Sequence, residues 1–149
     1  MKKNITIILT LALVAFFGFA FRSEKSVSTE ETPGIVFFKG TWEEAIVKAK
    51  KEKKLIFVDA YASWCGPCKI LAKKYFVKEN VGDFYNSKFI NYKMDMEKDA
   101  NGPRLARAWG LTAYPTLYFV NTKESVIHTS VGLINDKALI KIAEEALAK

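Results

Sequence analysis

Residues 58–68 read Val-Asp-Ala-Tyr-Ala-Ser-Trp-Cys-Gly-Pro-Cys, and the prediction of the fold begins from them. It continues the apolar run Leu-Ile-Phe-Val at 55–58, which is typical of a β-strand covered on both faces. It precedes apolar residues at helical spacing up to about Phe76. The stretch therefore predicts a buried strand, a turn that carries Cys65 and Cys68, and a helix.

The turn places Cys65 at the N-terminus of the predicted helix. Unpaired backbone N–H groups and the helix dipole stabilise a thiolate there, and the thiolate is the nucleophile in disulfide exchange. Cys68 lies nearly one turn further on, and we expect it deeper inside the protein but within reach of Cys65. We therefore predict that Cys65 attacks a substrate disulfide and that Cys68 resolves the mixed disulfide. Pro67 in the first turn costs no hydrogen bond, and Gly66 leaves room for a substrate above the sulfurs.

Alternating strand and helix signals surround this turn. A capping box at Thr41 and Glu44 begins the first helix. Predicted strands cover 35–38, 55–58, 89–94, 116–120 and 126–131. Further predicted helices cover 65–76, part of 81–87, 103–109 and a segment that begins near Asn135 or Asp136. The order β-α-β-α-β-α-β-β-α predicts an α/β fold with a mixed central sheet and helices on both faces.

Composition narrows the functional classes. The chain has 149 residues, half of them hydrophobic, which is enough for one domain with a real core. The presence of only two cysteines and one histidine excludes disulfide-rich scaffolds, four-cysteine iron–sulfur clusters and zinc fingers. A structural disulfide and a zinc site completed by His128 are the remaining alternatives to an exchange motif.

The N-terminal part of the chain differs from the rest. Lys2 and Lys3 precede an uncharged apolar run at 5–21, the layout of an export signal. The run is also near the lower limit for a membrane-spanning helix, so an uncleaved anchor is the alternative. Residues 22–33 are predicted to be a flexible linker and 34–149 the folded domain. Either N-terminal alternative places that domain in the periplasm or on the outer face of the cytoplasmic membrane.

The Trp-Cys-Gly-Pro-Cys turn after Val-Asp-Ala-Tyr-Ala resembles the active-site strand and turn of the thioredoxin-like family. The resemblance continues through Tyr-Pro-Thr at 114–116 and Val-Gly at 131–132, and it covers roughly residues 35–149. It implies the thioredoxin fold and thiol–disulfide oxidoreductase activity. It also implies that the chemistry needs only the redox-active disulfide between Cys65 and Cys68, with no metal and no organic cofactor.

The resemblance also assigns roles to residues around the turn. It implies that the bond before Pro115 is cis, that Pro115 faces the cysteine pair, and that Tyr114 offers its backbone to the substrate. Gly132 is expected to bind substrate beside them. Trp64 is expected to shield the thiols and to contact the substrate, the alternative being plain packing.

Asp59 matches the buried acid of thioredoxins, whose implied role is to accept and donate a proton for Cys68, directly or through water. Burial raises the pKa of a carboxyl, which suits proton exchange near neutral pH. The alternative is a partly exposed aspartate at a strand end. Lys93 matches a lysine that neighbours this acid, and we expect it to support the proton transfer unless it is an ordinary solvated lysine.

Together these features predict an exported thiol–disulfide oxidoreductase that reduces protein disulfides in the cell envelope. The Gly-Pro pair between the cysteines resembles the reducing members of the family. We expect a monomer that receives electrons from a membrane-bound donor, binds no nucleic acid, and touches the membrane only through residues 5–21 if these are not removed. The alternatives are a thioredoxin-like binding or adaptor module, and a thiol donor for cytochrome c or metal-site maturation.

Overall fold

The computed structural model of the chain describes residues 33–149. The predicted signal or anchor and nearly all of the predicted linker lie outside these residues. In the part that is described, no helix combines the length and apolar character needed to cross a membrane.

Five helices and four strands alternate along the described part of the chain, close to the predicted order. The strands are β1 (Leu55–Tyr61), β2 (Phe89–Asp95), β3 (Thr116–Val120) and β4 (Val126–Val131). The helices are α1 (Trp42–Glu52), α2 (Gly66–Ile70), α3 (Glu79–Lys88), α4 (Gly102–Ala108) and α5 (Asp136–Leu147). A π-helical turn (Leu71–Tyr75) extends α2 directly.

The strands form one mixed sheet in the order β2-β1-β3-β4. β1 and β2 are parallel because α2 and α3 cross over between them, whereas β3 runs antiparallel to both β1 and β4. The predicted hairpin between β3 and β4 closes on Asn121, whose side-chain oxygen accepts hydrogen bonds from the N–H groups of Lys123 and Ser125. The predicted mixed sheet is therefore confirmed.

The prediction of a strand at 35–38 is wrong. This segment lies beside β2, but only the Phe38 N–H donates to a strand backbone, at 2.8 Å from the Asn91 oxygen. The Asn91 side chain donates to the Val36 oxygen, and the Val36 N–H donates to the Asn86 side chain at 2.9 Å. Because two asparagine side chains satisfy the backbone here, no continuous ladder forms.

Side chains of β1 alternate between two apolar cores, one on each face of the sheet. Ile56, Val58 and Ala60 are fully buried on the face covered by α1 and α4. Phe57 is fully buried on the opposite face, against α3, α5 and the π-helical turn. Helices on both faces of the sheet are therefore confirmed. Since side chains alternate along a strand, Asp59 belongs to the same face as Phe57.

Candidate active site

The two cysteines form a disulfide at the junction of β1 and α2, with their Cα atoms 5.4 Å apart. Cys65 is the N-cap residue of α2, with extended backbone angles. The N–H of Cys68 donates a hydrogen bond to the Cys65 Sγ at 3.1 Å. The first turn of the helix therefore directs a backbone donor at the Cys65 sulfur, which favours its thiolate in the reduced state.

Cys65 and Cys68 are buried to the same extent. Cys65 is 2% exposed and Cys68 is 3% exposed, so the expectation that Cys68 lies deeper is not supported for this oxidised form. Both belong to a small cluster with Ala62, against which Tyr61 and Tyr114 pack. The two cysteines therefore differ in their position on the helix, since Cys65 lies at its N-terminus, and not in their burial.

The surface over the first turn of α2 is open, as expected. Gly66 and Pro67 are exposed, and a Cβ atom built on Gly66 meets no other atom within 4 Å. A substrate chain can therefore approach this turn without displacing any side chain.

The loop before β3 lies beside the cysteine pair. The Tyr114–Pro115 bond is cis, which confirms the expectation from the family resemblance. The Gly132 N–H donates to the Pro115 oxygen at 2.8 Å. Gly132 has a φ of 94°, a conformation that glycine adopts without strain. This bond ties the buried Pro115 to the partly exposed Gly132, and the Tyr114 side chain packs against the cysteine cluster.

Trp64 is 66% exposed, so it is a surface residue rather than part of the core. Its ring meets the Tyr114 ring edge to face, with centroids 5.7 Å apart. Its Nε1 donates to the Glu97 carboxylate at 3.0 Å. Our sequence reasoning did not identify Glu97. The available signal was that Glu97 follows β2 closely, and parallel strands place their C-terminal ends at the same edge of a sheet.

The carboxyl of Asp59 is fully buried and pairs with Lys93 on the neighbouring strand. The two residues are partners in the β1–β2 register, and the Lys93 Nζ lies 2.6 Å from the Asp59 Oδ2. Burial raises the pKa of Asp59, and the Lys93 ammonium offsets part of that effect. Oδ1 of Asp59 has no hydrogen-bond partner among the described residues. The pairing places both predicted proton-transfer residues together.

An aromatic face holds Lys93 against this carboxyl. The Lys93 Nζ lies 4.3 Å from the centroid of the Tyr61 ring and 5.7 Å from that of Phe37. Cation–π attraction at such distances contributes about 0.5–2 kcal/mol. Our sequence reasoning missed Tyr61 in this role, although its position two residues after Asp59 puts both on one face of β1.

A cavity of about 200 Å³ lies beside Cys68. Its lining includes two alanines together with Tyr61, Ser63, Cys68, Lys69, Lys73 and Lys93. The cavity has room for water molecules, and both Cys68 and Lys93, the ion partner of Asp59, line it.

In residues 33–149, no group of three or more His, Cys, Asp and Glu side chains has the arrangement of a metal site. His128 lies on β4, where its Nε2 is 3.2 Å from the Glu145 carboxylate of α5. Its ring is therefore engaged with α5.

Comparison with known proteins agrees with this geometry. A family model described as Thioredoxin matches residues 32–145. The chain is 35% identical to a type H thioredoxin of Chlamydomonas reinhardtii over 115 residues, which covers 76% of this chain and 95% of that protein.

Solved structures similar to the chain include the following two. One is a candidate disulphide-isomerase from Bacteroides thetaiotaomicron, with 40% identity, a TM-score of 0.69, and coverage of 78% of this chain and 96% of that one. The other is the oxidised C-terminal domain of DsbD from Neisseria meningitidis, with 22% identity and a TM-score of 0.60. It covers 74% of this chain and 99% of the domain, and it supports the fold alone.

Proposed function

The chain belongs to the thioredoxin family of thiol–disulfide oxidoreductases, and on this premise we propose that it reduces disulfides of exported proteins in the cell envelope. One observation carries the proposal. The Cys65 sulfur caps a helix N-terminus, accepts a backbone N–H, and lies in a cluster against which the side chain before a cis-proline packs. This arrangement stabilises a thiolate beside an open surface where a substrate disulfide can bind.

The proposed reaction begins from the reduced dithiol. The Cys65 thiolate attacks one sulfur of the substrate disulfide, forms a mixed disulfide, and releases the other substrate sulfur as a thiolate. The Cys68 thiolate then attacks the Cys65 sulfur, which forms the intramolecular disulfide seen in the structure and releases the second substrate thiolate. Two electrons pass to the substrate, whose two thiolates take up two protons.

Asp59 is proposed to accept the proton of Cys68 before the resolving attack. Burial raises its pKa, which makes the carboxylate a better proton acceptor, and the Lys93 ammonium holds the carboxyl in place while offsetting part of the effect of burial. The cavity shared by Cys68 and Lys93 supports a route through water.

The substrate chain is proposed to bind across the surface formed by Tyr114, Pro115 and Gly132. The backbone of Tyr114 is proposed to hydrogen-bond to a substrate strand, and the exposed Trp64 ring supplies apolar contact beside the disulfide. The exposed turn at Gly66 and Pro67 leaves the approach free.

Export is proposed from the sequence pattern of the first 21 residues, with 22–33 as a linker and 34–149 as the catalytic domain. The basic start at Lys2 and Lys3 and the apolar run at 5–21 support it. An exported reductase needs a source of electrons at the membrane. We propose a membrane-bound dithiol protein that reduces the Cys65–Cys68 disulfide by the same exchange chemistry.

Reduction of insulin disulfides by the purified protein, with a small dithiol as electron source, tests this function. We expect turnover by the wild type and loss of turnover in Cys65→Ser, since serine cannot form the mixed disulfide. Equal turnover in the two proteins would refute the proposal. A protein that binds clients without exchanging disulfides would show no turnover in either form.

A further inference from the structure

The cavity beside Cys68 has a composition that the exchange chemistry does not require. Lys69, Lys73 and Lys93 contribute to its lining, and no carboxylate is found among the described residues that line it. From this lining we propose that the cavity recognises an acidic side chain of the client, close to the disulfide that is reduced. The inference rests on the proposed function, because it names the class of protein segment that the active site prefers.

Of the three lysines that line the cavity, only one has a carboxylate partner among the described residues. Lys93 is paired with the buried Asp59, so its charge is already compensated. Lys69 and Lys73 are exposed and form no ion pair within residues 33–149. Two cationic side chains beside the reacting sulfur therefore remain available for an anion from outside.

The two free lysines lie on the same side of one helical segment. Lys69 belongs to α2, and Lys73 lies four residues later in the π-helical turn. Residues four apart on a helix are neighbours, and like charges at that spacing destabilise the helix by about 0.2–0.5 kcal/mol. Helix stability therefore does not explain why lysines occupy both positions. A bound carboxylate would relieve the repulsion between Lys69 and Lys73.

The other residues that line the cavity can contact the methylene groups of an acidic side chain. Tyr61, Ala62 and Ala72 supply apolar surface, and the volume of about 200 Å³ is suited to one side chain rather than a length of backbone. The position beside Cys68 means that a client residue bound here lies near the disulfide under attack. The structure therefore favours a glutamate or aspartate that flanks a client cysteine.

A second lysine-lined groove provides an internal control. It contains Lys50, Lys53 and Lys54 and lies at the Leu55 end of β1, whereas the cavity beside Cys68 lies at the opposite end of that strand. Replacement of Lys50 by glutamine removes the same charge at a distance from the active site.

The test uses disulfide-bonded peptides that carry one glutamate at each position flanking the attacked cysteine in turn, with glutamine counterparts. The measured quantity is the ratio of kcat/KM for the glutamate peptide to that for the glutamine peptide. We expect a ratio of about tenfold in the wild type for at least one position, because two partly exposed ion pairs act together. The ratio should fall in about 0.5 M NaCl, which screens exposed charges.

The double variant Lys69→Gln/Lys73→Gln should bring this ratio close to one, and Lys50→Gln should leave it unchanged. A loss of positive charge near the cysteines also alters the thiolate, but it changes both peptides by the same factor, so the ratio isolates recognition. A wild-type ratio near one at every position, or a ratio that survives in the double variant, would overturn the inference. Reduction of neither peptide would instead refute the proposed function.

Discussion

Replacement of the buried acid by an isosteric amide, Asp59→Asn, should stabilise the oxidised protein near pH 8. The Asp59 side chain is fully buried, one oxygen has no partner among the described residues, and the other has a single ion pair at 2.6 Å. Because burial raises the pKa of Asp59, the ionised carboxylate is unfavourable in the folded protein at a pH above that pKa, and the neutral amide removes this cost. The Lys93 side chain is 32% exposed and so keeps access to water, and the amide oxygen can still accept its hydrogen bond. We therefore expect a gain of about 1–3 kcal/mol in the free energy of unfolding, since each unit by which burial raises the pKa corresponds to about 1.4 kcal/mol.

The pH dependence of this gain follows from the raised pKa of Asp59, since the folded protein keeps a proton that the unfolded chain loses above its ordinary value of 3.8. The contribution of Asp59 to stability is therefore fully present below that value and is lost as the pH rises through the folded pKa. The advantage of Asp59→Asn should be greatest above the folded pKa and should disappear in acid.

The gain in the free energy of unfolding is measured by urea unfolding of the oxidised wild type and Asp59→Asn from about pH 4 to about pH 9. Tryptophan fluorescence reports the unfolding. The control is Asp83→Asn, which removes an exposed carboxyl on α3 and should change stability by less than about 0.5 kcal/mol. The same Asp59→Asn protein should turn over insulin at least about tenfold more slowly at neutral pH, because it cannot take the Cys68 proton. A loss of stability at pH 8, or a pH dependence parallel to that of the wild type, would refute this reasoning.

Three further predictions address the cysteines, the surface beside them and the packing of the fold. Cys68→Ser should accumulate mixed disulfides with envelope proteins on non-reducing gels, whereas Cys65→Ser should trap none; equal trapping by both would contradict the assignment of the nucleophile. Trp64→Ala should lower kcat/KM for a protein disulfide by about tenfold through lost apolar contact, with a smaller effect on a small-molecule disulfide, and an identical effect on both would argue against client binding. Gly82→Ala should cost about 1–3 kcal/mol in urea unfolding because its Cβ would collide with the backbone oxygen of Gly34, and Gly66→Ala, where the same atom meets nothing within 4 Å, should cost much less.

Much of the fold was predictable because local signals agreed with the tertiary structure. The apolar run before Asp59 became a central strand, and the capping box at Thr41 begins α1 as predicted, with both of its hydrogen bonds formed. The strand at 35–38 was not predictable in the same way. Its apolar residues fit a strand, but the partners that replace a ladder are the side chains of Asn86 and Asn91, about fifty residues away in the sequence.

The site shows the same division between local and long-range information. The cysteine turn is local, so its chemistry followed from spacing and the helix N-terminus. The contacts of Tyr61 with Lys93, and of Glu97 with Trp64, depend on which strands are neighbours and in which register. Helical periodicity also did not distinguish an α-helix from the π-helical turn that follows α2, because both place Leu71 in the core.

The redox potential of the Cys65–Cys68 couple decides whether the protein reduces or oxidises its clients. Equilibration of the purified protein with a dithiol buffer of known potential, followed by thiol labelling, gives this value. We predict a potential of about −270 mV, which is typical of a thioredoxin that reduces other proteins. A strongly oxidising value of about −120 mV would contradict the proposed reductase function, because the protein would then donate disulfides rather than reduce them.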